Sequence, residues 1–243
     1  MIQAFYNAAV GAQQQMQHLN VQANNIANVN HYGYKVEKPS FQALMYRNVT
    51  GIDGAQLPKG TGTQMISTAT DFSQAPLEET GRAQDYAVSG LGFFALYDPS
   101  TQEISFTRDG SFSPAMFQEQ NEEGEWEHVW YLSDGEGRQV LNTGGYPIVM
   151  TDFEAEQPVG VFLIQYQDGM QHLDSGRFLA GDKNGSIWMG TAQVLRGYLE
   201  ASNADLGFEI GKVIEAQRAY SYALRMVTTA DEVENTVNGL TGA

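Results

Sequence analysis

The chain has 243 residues and a formal net charge of −16 at pH 7, and 42% of its residues are hydrophobic. This length allows one large domain or two smaller ones, each with room for a core. The lack of cysteine excludes disulfides, thiolate zinc sites and cysteine nucleophiles. No apolar run reaches the ~18–20 residues that a membrane-spanning helix needs, and no basic n-region precedes an apolar core near residue 1. We therefore expect neither membrane insertion nor a cleavable signal peptide.

The acidic charge is concentrated in the middle of the chain. Residues 51–195 carry 6 basic and 21 acidic side chains, a balance of −15, whereas residues 1–50 balance at +2 and residues 196–243 at −3. A surface with this charge repels polyanions. The distribution therefore predicts that the protein does not bind nucleic acid through a basic patch.

Residues 1–30 carry a heptad pattern. Apolar or small side chains recur there in steps of three and four, the period of a coiled-coil seam, at Ile2, Phe5, Ala9, Ala12, Met16, Leu19, Ala23 and Ile26. The same segment has no Lys, Arg, Asp or Glu. A solvated helix normally carries charges on its outer face, so we expect this helix to be buried laterally, among copies of itself. The alternative is a Gln- and Asn-rich frayed terminus.

The sequence pattern changes after the first helix. Asn28, Asn30 and Gly33 tolerate left-handed backbone and predict that the first helix, assigned to residues 1–34, stops there. Within residues 35–81, Gly51, Gly54, Gly60, Gly62 and Gly81, together with Pro58, predict an extended, irregular connector. Residues 82–195 contain short apolar runs divided by turn signals such as Asp-Gly and Asn-Gly, a pattern typical of an antiparallel β domain.

A helical pattern of apolar residues recurs in residues 196–243. Apolar side chains again step by three and four, at Leu206, Ile210, Val213, Tyr220, Leu224 and Val227. Ser202 or Asn203 is predicted to cap this helix, with Asp205 near its positive end. The pattern predicts an α+β fold in which the two terminal helices pair as a coiled-coil stalk and the β domain is inserted between them.

Few residues indicate catalysis. The stretch Gly90-Leu-Gly92-Phe-Phe-Ala95 fits a dinucleotide fingerprint, but it continues as a strand rather than a helix. The four histidines lack ligand spacing, so we expect no metal, no cofactor and no enzymatic activity. Trp126, Trp130 and Trp188 are compatible with a sugar-binding platform, although core or subunit packing is the commoner role of such residues.

Several segments together resemble the bacterial flagellar rod and hook (axial) protein family. These are residues 23–30 (ANNIANVN) with 33–35 (GYK), residues 90–94 (GLGFF) with 107–112 (TRDGSF), and residues 197–203 (GYLEASN) with 216–220 (AQRAY) and 228–232 (TTADE). The forms at 216–220 and 228–232 and the short length are most similar to the distal rod members. The acidic stretch 118–127 lies outside this resemblance.

The resemblance implies an axial structural subunit of the flagellar basal body. Such subunits are exported through the flagellar type III apparatus and polymerise helically into a tube that encloses the export channel and transmits torque. The implied partners are other copies of the chain and neighbouring rod and hook proteins. Within the family, a proximal rod or hook subunit is the alternative; outside it, the alternative is a secreted glycan-binding or hydrolytic β domain with helical multimerisation arms.

The resemblance also implies roles for particular residues. The heptad side chains of the two terminal helices would form one seam that packs within and between subunits, and three asparagines at the end of the first helix would add side-chain hydrogen bonds. A glycine-rich motif would organise the β domain. The seam residues are Ile2, Phe5, Met16, Leu19, Ile26, Leu206, Ile210, Val213, Tyr220, Leu224 and Val227; the asparagines are Asn24, Asn25 and Asn28; the β-domain motif is Gly90, Gly92, Phe93, Phe94, Arg108, Asp109 and Gly110.

Overall fold

A computed structural model describes residues 2–44, 47–50, 56–60, 62–120 and 125–241. The described residues form two helices, two short 3-10 turns and seventeen strands. The helices are α1 (Ile2–Ala27) and α2 (Leu206–Thr241), and the 3-10 turns are Asp174–Gly176 and Asp182–Asn184. The strands are β1 (Glu37–Ala43), β2 (Arg47–Thr50), β3 (Gln56–Lys59), β4 (Thr63–Thr70), β5 (Leu77–Glu79), β6 (Tyr86–Ser89), β7 (Phe93–Tyr97), β8 (Ile104–Thr107), β9 (Ser113–Gln120), β10 (Trp126–Ser133), β11 (Gln139–Val140), β12 (Val161–Ile164), β13 (Gln171–His172), β14 (Arg177–Leu179), β15 (Ile187–Met189), β16 (Gln193–Arg196) and β17 (Tyr198–Glu200).

The chain divides into two compact units. The helical unit comprises residues 1–27, 37–70 and 205–243, and the β unit comprises residues 28–36 and 71–204. Helices and antiparallel strands coexist, which confirms the α+β class predicted from the sequence. Neither helix in the described part of the chain is long and apolar enough to cross a membrane.

Helix α1 is rich in alanine and glutamine and has no proline, a composition that favours helix formation. It ends at Ala27, and turns follow up to Gly33, which has a φ of +69°. Glycine reaches this conformation without the steric cost that a side chain would add. The sequence predicted a stop at Asn28, Asn30 and Gly33 within a segment assigned to residues 1–34, and α1 ends at Ala27, directly before Asn28.

Helix α2 begins at Leu206, ten residues later than the segment assigned to it from the sequence. Asp205 is the N-cap, because its Oδ1 accepts a hydrogen bond from the backbone N–H of Phe208 at 3.0 Å. The prediction that Ser202 or Asn203 caps this helix is therefore wrong. Gly197, at a φ of +79°, instead separates strands β16 and β17.

Two strand pairs accompany the helices in the helical unit. Strand β1 pairs with β4, and β2 pairs with β3, in both cases antiparallel. Part of the segment expected to be an irregular connector therefore has regular structure. Side chains of α1 bind this segment: Gln14 Oε1 accepts a hydrogen bond from Met65 N at 2.6 Å, and Asn7 Nδ2 donates one to Gly60 O at 3.2 Å.

The β unit is built on a nine-stranded antiparallel sheet. Its main path runs β13-β14-β8-β7-β11-β10-β9, and β12 joins β7 and carries β15 at its other edge. Two further ladders pair β16 with β6 and β17 with β5. One core cluster forms around Tyr86, Phe94 and Leu132, and a second around Phe93 and Phe178.

Candidate functional site

Helices α1 and α2 pack against each other in an antiparallel arrangement. Near the end of α1, Asn25 Nδ2 donates a hydrogen bond to Glu209 Oε2, near the start of α2, at 3.2 Å. Two turns earlier in α1, His18 is close enough to Glu215 and Lys212 for their charges to act on its pKa. Because α1 residues of falling number lie near α2 residues of rising number, the two helices run in opposite directions.

Asn25 is a buried hydrogen-bonding centre at the end of α1. Besides its bond to Glu209, its Nδ2 donates to Glu37 O at 2.9 Å, and its Oδ1 accepts from Glu37 N at 3.1 Å. A buried amide satisfied in this way fixes the start of β1 against the helix end. Asn28 Oδ1 lies 2.6 Å from His31 Nδ1, and Asn24 is exposed. The predicted bonds from these asparagines to neighbouring subunits stay a prediction.

A row of buried and half-buried residues runs along one side of α2 and includes three alanines. The positions of this row step by four and three, at Glu209, Val213, Ala216, Tyr220, Ala223, Val227 and Ala230. Three alanines at seven-residue intervals belong to this row, and they allow close approach of the helix backbones. Analysis of the sequence missed them because it gave weight to the larger apolar side chains. Their spacing of seven was the signal that was available.

The seam residues predicted from the sequence fall into two groups in the single chain. The half-buried group is Leu19, Ile26, Val213, Tyr220 and Val227. The exposed group is Phe5, Met16, Leu206, Ile210 and Leu224. Ile2 begins α1, but its side chain lies outside the described residues. The second group therefore presents apolar surface that the chain does not cover with its own helices.

The exposed group lies on one side of the helix pair. At 3.6 residues per turn, Met16 is roughly half a turn from His18 round α1, and Leu224 is roughly half a turn from Glu215 round α2. The charge of Glu215 acts on the pKa of His18, which indicates that both residues lie on the same flank of the helix pair. Met16 and Leu224 therefore lie on the opposite flank. Helix α1 contributes no charge there, because it has none.

In the β unit, three buried charged side chains converge. Glu200 Oε1 accepts a hydrogen bond from Lys35 Nζ at 2.6 Å, and Glu200 Oε2 accepts one from Arg108 Nη1 at 3.1 Å. The three side chains have relative exposures of 0–1%. Burial lowers the pKa of Lys35 and of Arg108, and the charge of Glu200 opposes both shifts.

Further hydrogen bonds hold the cluster in place, although Arg108 Nε is buried without a partner among the described residues. Lys35 Nζ donates to Ser73 O at 2.7 Å, and Arg108 Nη2 donates to Gly90 O at 2.9 Å. The Glu200 carboxylate accepts a third hydrogen bond, from Ala75 N to Oε1 at 2.9 Å. The cluster thus ties segments from both ends of the chain to the central sheet. Buried charges destabilise a fold unless they are paired, so removal of one partner should lower the stability of the β unit strongly.

The predicted β-domain motif surrounds this cluster. The Arg108 guanidinium lies 5.3 Å from the centre of the Phe93 ring, and Phe94 is in the core. A Cβ on Gly110 would lie 1.7 Å from Tyr86 O, and a Cβ on Gly92 would lie 2.3 Å from Val161 Cγ1. Burial raises the pKa of Asp109, whose Oδ1 accepts a hydrogen bond from Ser111 N.

Gly33 brings the N-terminal segment against the sheet. Its N–H donates to Glu200 O at 2.7 Å, and a Cβ at this position would lie 2.2 Å from Asp109 N. No side chain fits that space. Of the family-like motifs, those at residues 33–35, 90–94, 107–112 and 197–203 therefore meet at one place in the β unit.

A pocket of about 240 Å³ in the β unit contains ionisable side chains that bind each other. Arg138 forms ion pairs with Asp134 and Glu136, and Glu136 also binds Ser175. The hydrogen bonds from Arg138 and Ser175 lower the pKa of Glu136 to about 2. Among the described residues, no group of three or more His, Asp or Glu side chains is arranged to hold a metal ion.

Comparison with known proteins matches both ends of the chain and nearly its whole length. A family model described as flagellar basal body rod FlgEFG protein C-terminal matches residues 195–240, and one described as flagella basal body rod protein matches residues 5–35. The chain is 30% identical to the flagellar basal-body rod protein FlgF of Caulobacter vibrioides, over 92% of this chain and 93% of that protein.

Relatives named FlgG are also similar. The chain is 28% identical to FlgG of Borreliella burgdorferi over 99% of both chains, and 28% identical to FlgG of Buchnera aphidicola subsp. Baizongia pistaciae over 96% of this chain and 97% of that protein. The relatives are structural proteins of the flagellum. The chain belongs to the flagellar basal-body rod protein family and is a structural rod subunit of the flagellar basal body.

Proposed function

We propose that this protein is an axial subunit of the distal type, which polymerises helically into the tube of the rod. In this proposal α1 and α2 form a coiled-coil stalk that neighbouring copies cover, and the acidic β unit lies toward the outside. The subunit transmits torque passively and encloses the export channel. Its role is structural rather than catalytic.

The observation that carries the proposal is the exposed apolar side of the helix pair, to which α1 adds no charged residue. Phe5 and Met16 on α1 and Leu206, Ile210 and Leu224 on α2 are exposed in the single chain. A soluble monomer gains nothing from exposing such a surface, and exposed apolar patches mark interaction sites. A copy of the same surface would cover these side chains, and α1 would bring no charged residue into the contact.

Charge supports the same arrangement. Each copy has a net charge of −16, and most of the acidic excess lies in residues 51–195. Copies that met through that region would repel one another. Contact through the apolar side of the helix pair keeps the acidic regions in water. It is also consistent with export through the flagellar type III apparatus, which the family resemblance implies.

A second candidate is a different position in the rod, because the relatives include a FlgF protein as well as FlgG proteins. Imaging of basal bodies from a strain that lacks this chain separates the two. If the chain is the distal subunit, this strain is expected to keep a proximal stub of the rod and to lack the distal rod and the hook. The partners of a distal subunit would be the neighbouring rod and hook proteins. An intact rod in that strain would contradict both candidates.

A further inference from the structure

The hairpin formed by β9 and β10 lies at one end of the main sheet path. We refer to residues 113–120 and 125–133 as the arm. The two strands pair antiparallel over their full length, from Ser113 opposite Ser133 to Gln120 opposite Trp126. The base of the arm is anchored in the core by Leu132, and Met150 N donates a hydrogen bond to Trp130 O at 2.7 Å.

The two faces of the arm have different chemistry. Because side chains alternate along a strand, the pairs Met116–Trp130 and Gln120–Trp126 lie on one face, while Glu119–Glu127 lie on the other. Gln118 and His128 complete the first face. In the described part of the arm, the first face carries no carboxylate, lysine or arginine. In a chain with 29 acidic residues, such a face is unusual.

The uncharged face is apolar and exposed. Trp126 is 70% exposed, Met116 is 52% exposed and Trp130 is 39% exposed. Phe153 extends the surface, with its ring centre 5.5 Å from that of Trp130 in an edge-to-face arrangement. Tryptophan, phenylalanine and methionine are enriched in protein–protein interfaces, whose centres are depleted of charge.

A second uncharged apolar surface lies on the same unit. Strand β15 pairs with β12, and its three residues, Ile187, Trp188 and Met189, are all exposed. Neither residues 157–166 nor residues 184–195 contain a charged side chain. Among the described residues, no strand other than β12 pairs with β15, so this edge is open to a partner.

We infer that the arm of one subunit docks on strand β15 of a neighbouring copy through these two uncharged surfaces. The inference rests on the proposed function, since it needs subunits brought together by their helices. An acidic chain approaches another copy with least repulsion where neither surface carries charge. Because the two surfaces differ, the contact is head-to-tail and repeats from copy to copy, as an open polymer requires.

The size of the arm surface fits a secondary contact. At ~150–250 Å² per aromatic side chain, its four apolar residues expose on the order of 400 Å². A stable interface needs about 800 Å² per partner. The arm alone therefore does not dimerise the free chain; it adds to the helical contact and fixes the angle between neighbouring β units.

Cysteine cross-linking tests this inference, because the chain has no cysteine of its own. Full-length Gln118→Cys and Ser186→Cys variants are expressed together in a strain that lacks the native chain, and isolated basal bodies are treated with a short bis-maleimide. We expect a cross-linked dimer that contains one copy of each variant. The matched control is Glu119→Cys, on the charged face of the arm, paired with the same Ser186→Cys variant.

The outcomes separate the two proposals. Cross-linking from position 118 that exceeds that from position 119 supports the inference, and Trp126→Ala in the same background should lower its yield by about tenfold. Rods that assemble without cross-linking, or with equal yields from both faces, overturn the arm contact and leave the proposed function standing. Variants and wild type that never enter basal bodies overturn both.

A glycan is the other occupant that such an aromatic face accommodates. Titration of the full chain with N-acetylglucosamine oligomers, read by tryptophan fluorescence, distinguishes it. We expect no change in fluorescence. Quenching that is lost in Trp126→Ala, together with absence of cross-linking, would overturn docking between copies.

Discussion

Arg108 and Glu200 are separated by 92 residues in sequence and joined by a buried ion pair of 3.1 Å. Glu200 is shared with Lys35, so one carboxylate neutralises two cations from different segments. This arrangement connects the N-terminal segment, the central sheet and the strand that precedes α2. It gives the family-like motifs, which are scattered along the sequence, a common structural role.

Replacement of this carboxylate should destabilise the β unit strongly. Glu200→Gln leaves Lys35 and Arg108 without their shared anion, and breaking a buried pair costs about 3–5 kcal/mol. Urea unfolding followed by tryptophan fluorescence measures the effect, because all three tryptophans lie in the β unit.

The matched control for this change is Glu78→Gln, which makes the same substitution at an exposed position on the neighbouring strand β5. We expect it to change the free energy of unfolding by less than about 0.5 kcal/mol. If both variants lower the free energy of unfolding equally, the buried charge cluster contributes no more to stability than an exposed carboxylate does.

Gly33 should tolerate no side chain. Gly33→Ala places a Cβ 2.2 Å from Asp109 N and holds a non-glycine residue at a φ of +69°. We expect a loss of at least ~2 kcal/mol in the free energy of unfolding of the β unit, from strain and displacement of the backbone. The same urea experiment measures it. Gly135→Ala, where a Cβ meets nothing within 4 Å, should be nearly neutral; a comparable loss there would contradict the steric argument.

The helical unit should lose stability in mild acid because of His18. Burial lowers the pKa of His18 below its usual 6.5, while Glu215 raises it and Lys212 lowers it to smaller extents. The unfolded chain therefore binds the proton more strongly than the folded chain, and stability falls as the pH drops below 6.5. Thermal unfolding followed by the helical circular dichroism signal, at pH values on either side of 6.5, measures this.

The His18→Gln variant should reduce that pH dependence, because glutamine does not titrate. His128→Gln, at an exposed position of the β unit, should leave it unchanged. If both variants have the pH profile of the wild type, His18 is not the group responsible.

A charge on the exposed side of the helix pair should block assembly without unfolding the chain. Leu224 is already in water in the single chain, so Leu224→Asp should change the free energy of unfolding by less than about 1 kcal/mol. In the polymer the new carboxylate would be buried without a partner. Incorporation into basal bodies and swimming motility measure the effect, and tryptophan fluorescence reports whether the β unit folds.

The control for this variant is Thr229→Asp, an exposed position about 140° further round the helix. It should assemble. Normal motility of Leu224→Asp would remove this side of the helix pair from the interface.

The sequence predicted the elements that have strong local patterns. The period of three and four in residues 2–27 identified α1, and the Asp-Gly turns with short apolar runs identified strands such as β7 and β8. These signals are local because they arise from side-chain periodicity and turn chemistry.

The parts that were missed depend on long-range contacts. Glu200 looked like one more carboxylate in a helical segment, whereas it lies in β17 opposite Leu77 and binds Arg108. Nothing in the neighbouring residues records that pairing. Likewise, α2 carries one row that includes three alanines and another that includes Leu206, Ile210 and Leu224. Which row is buried depends on the packing of α1, and the pattern of one helix alone does not contain that information.

The central claim is that copies of the chain cover the exposed apolar side of the helix pair in the assembled rod. Ala23, exposed on that side of α1, offers the most direct test, since Ala23→Cys introduces the sole thiol in the chain. Maleimide labelling of the purified chain, of isolated basal bodies and of denatured basal bodies should be compared. The account predicts rapid labelling of the purified and denatured samples and protection in intact basal bodies; equal labelling in all three would contradict it.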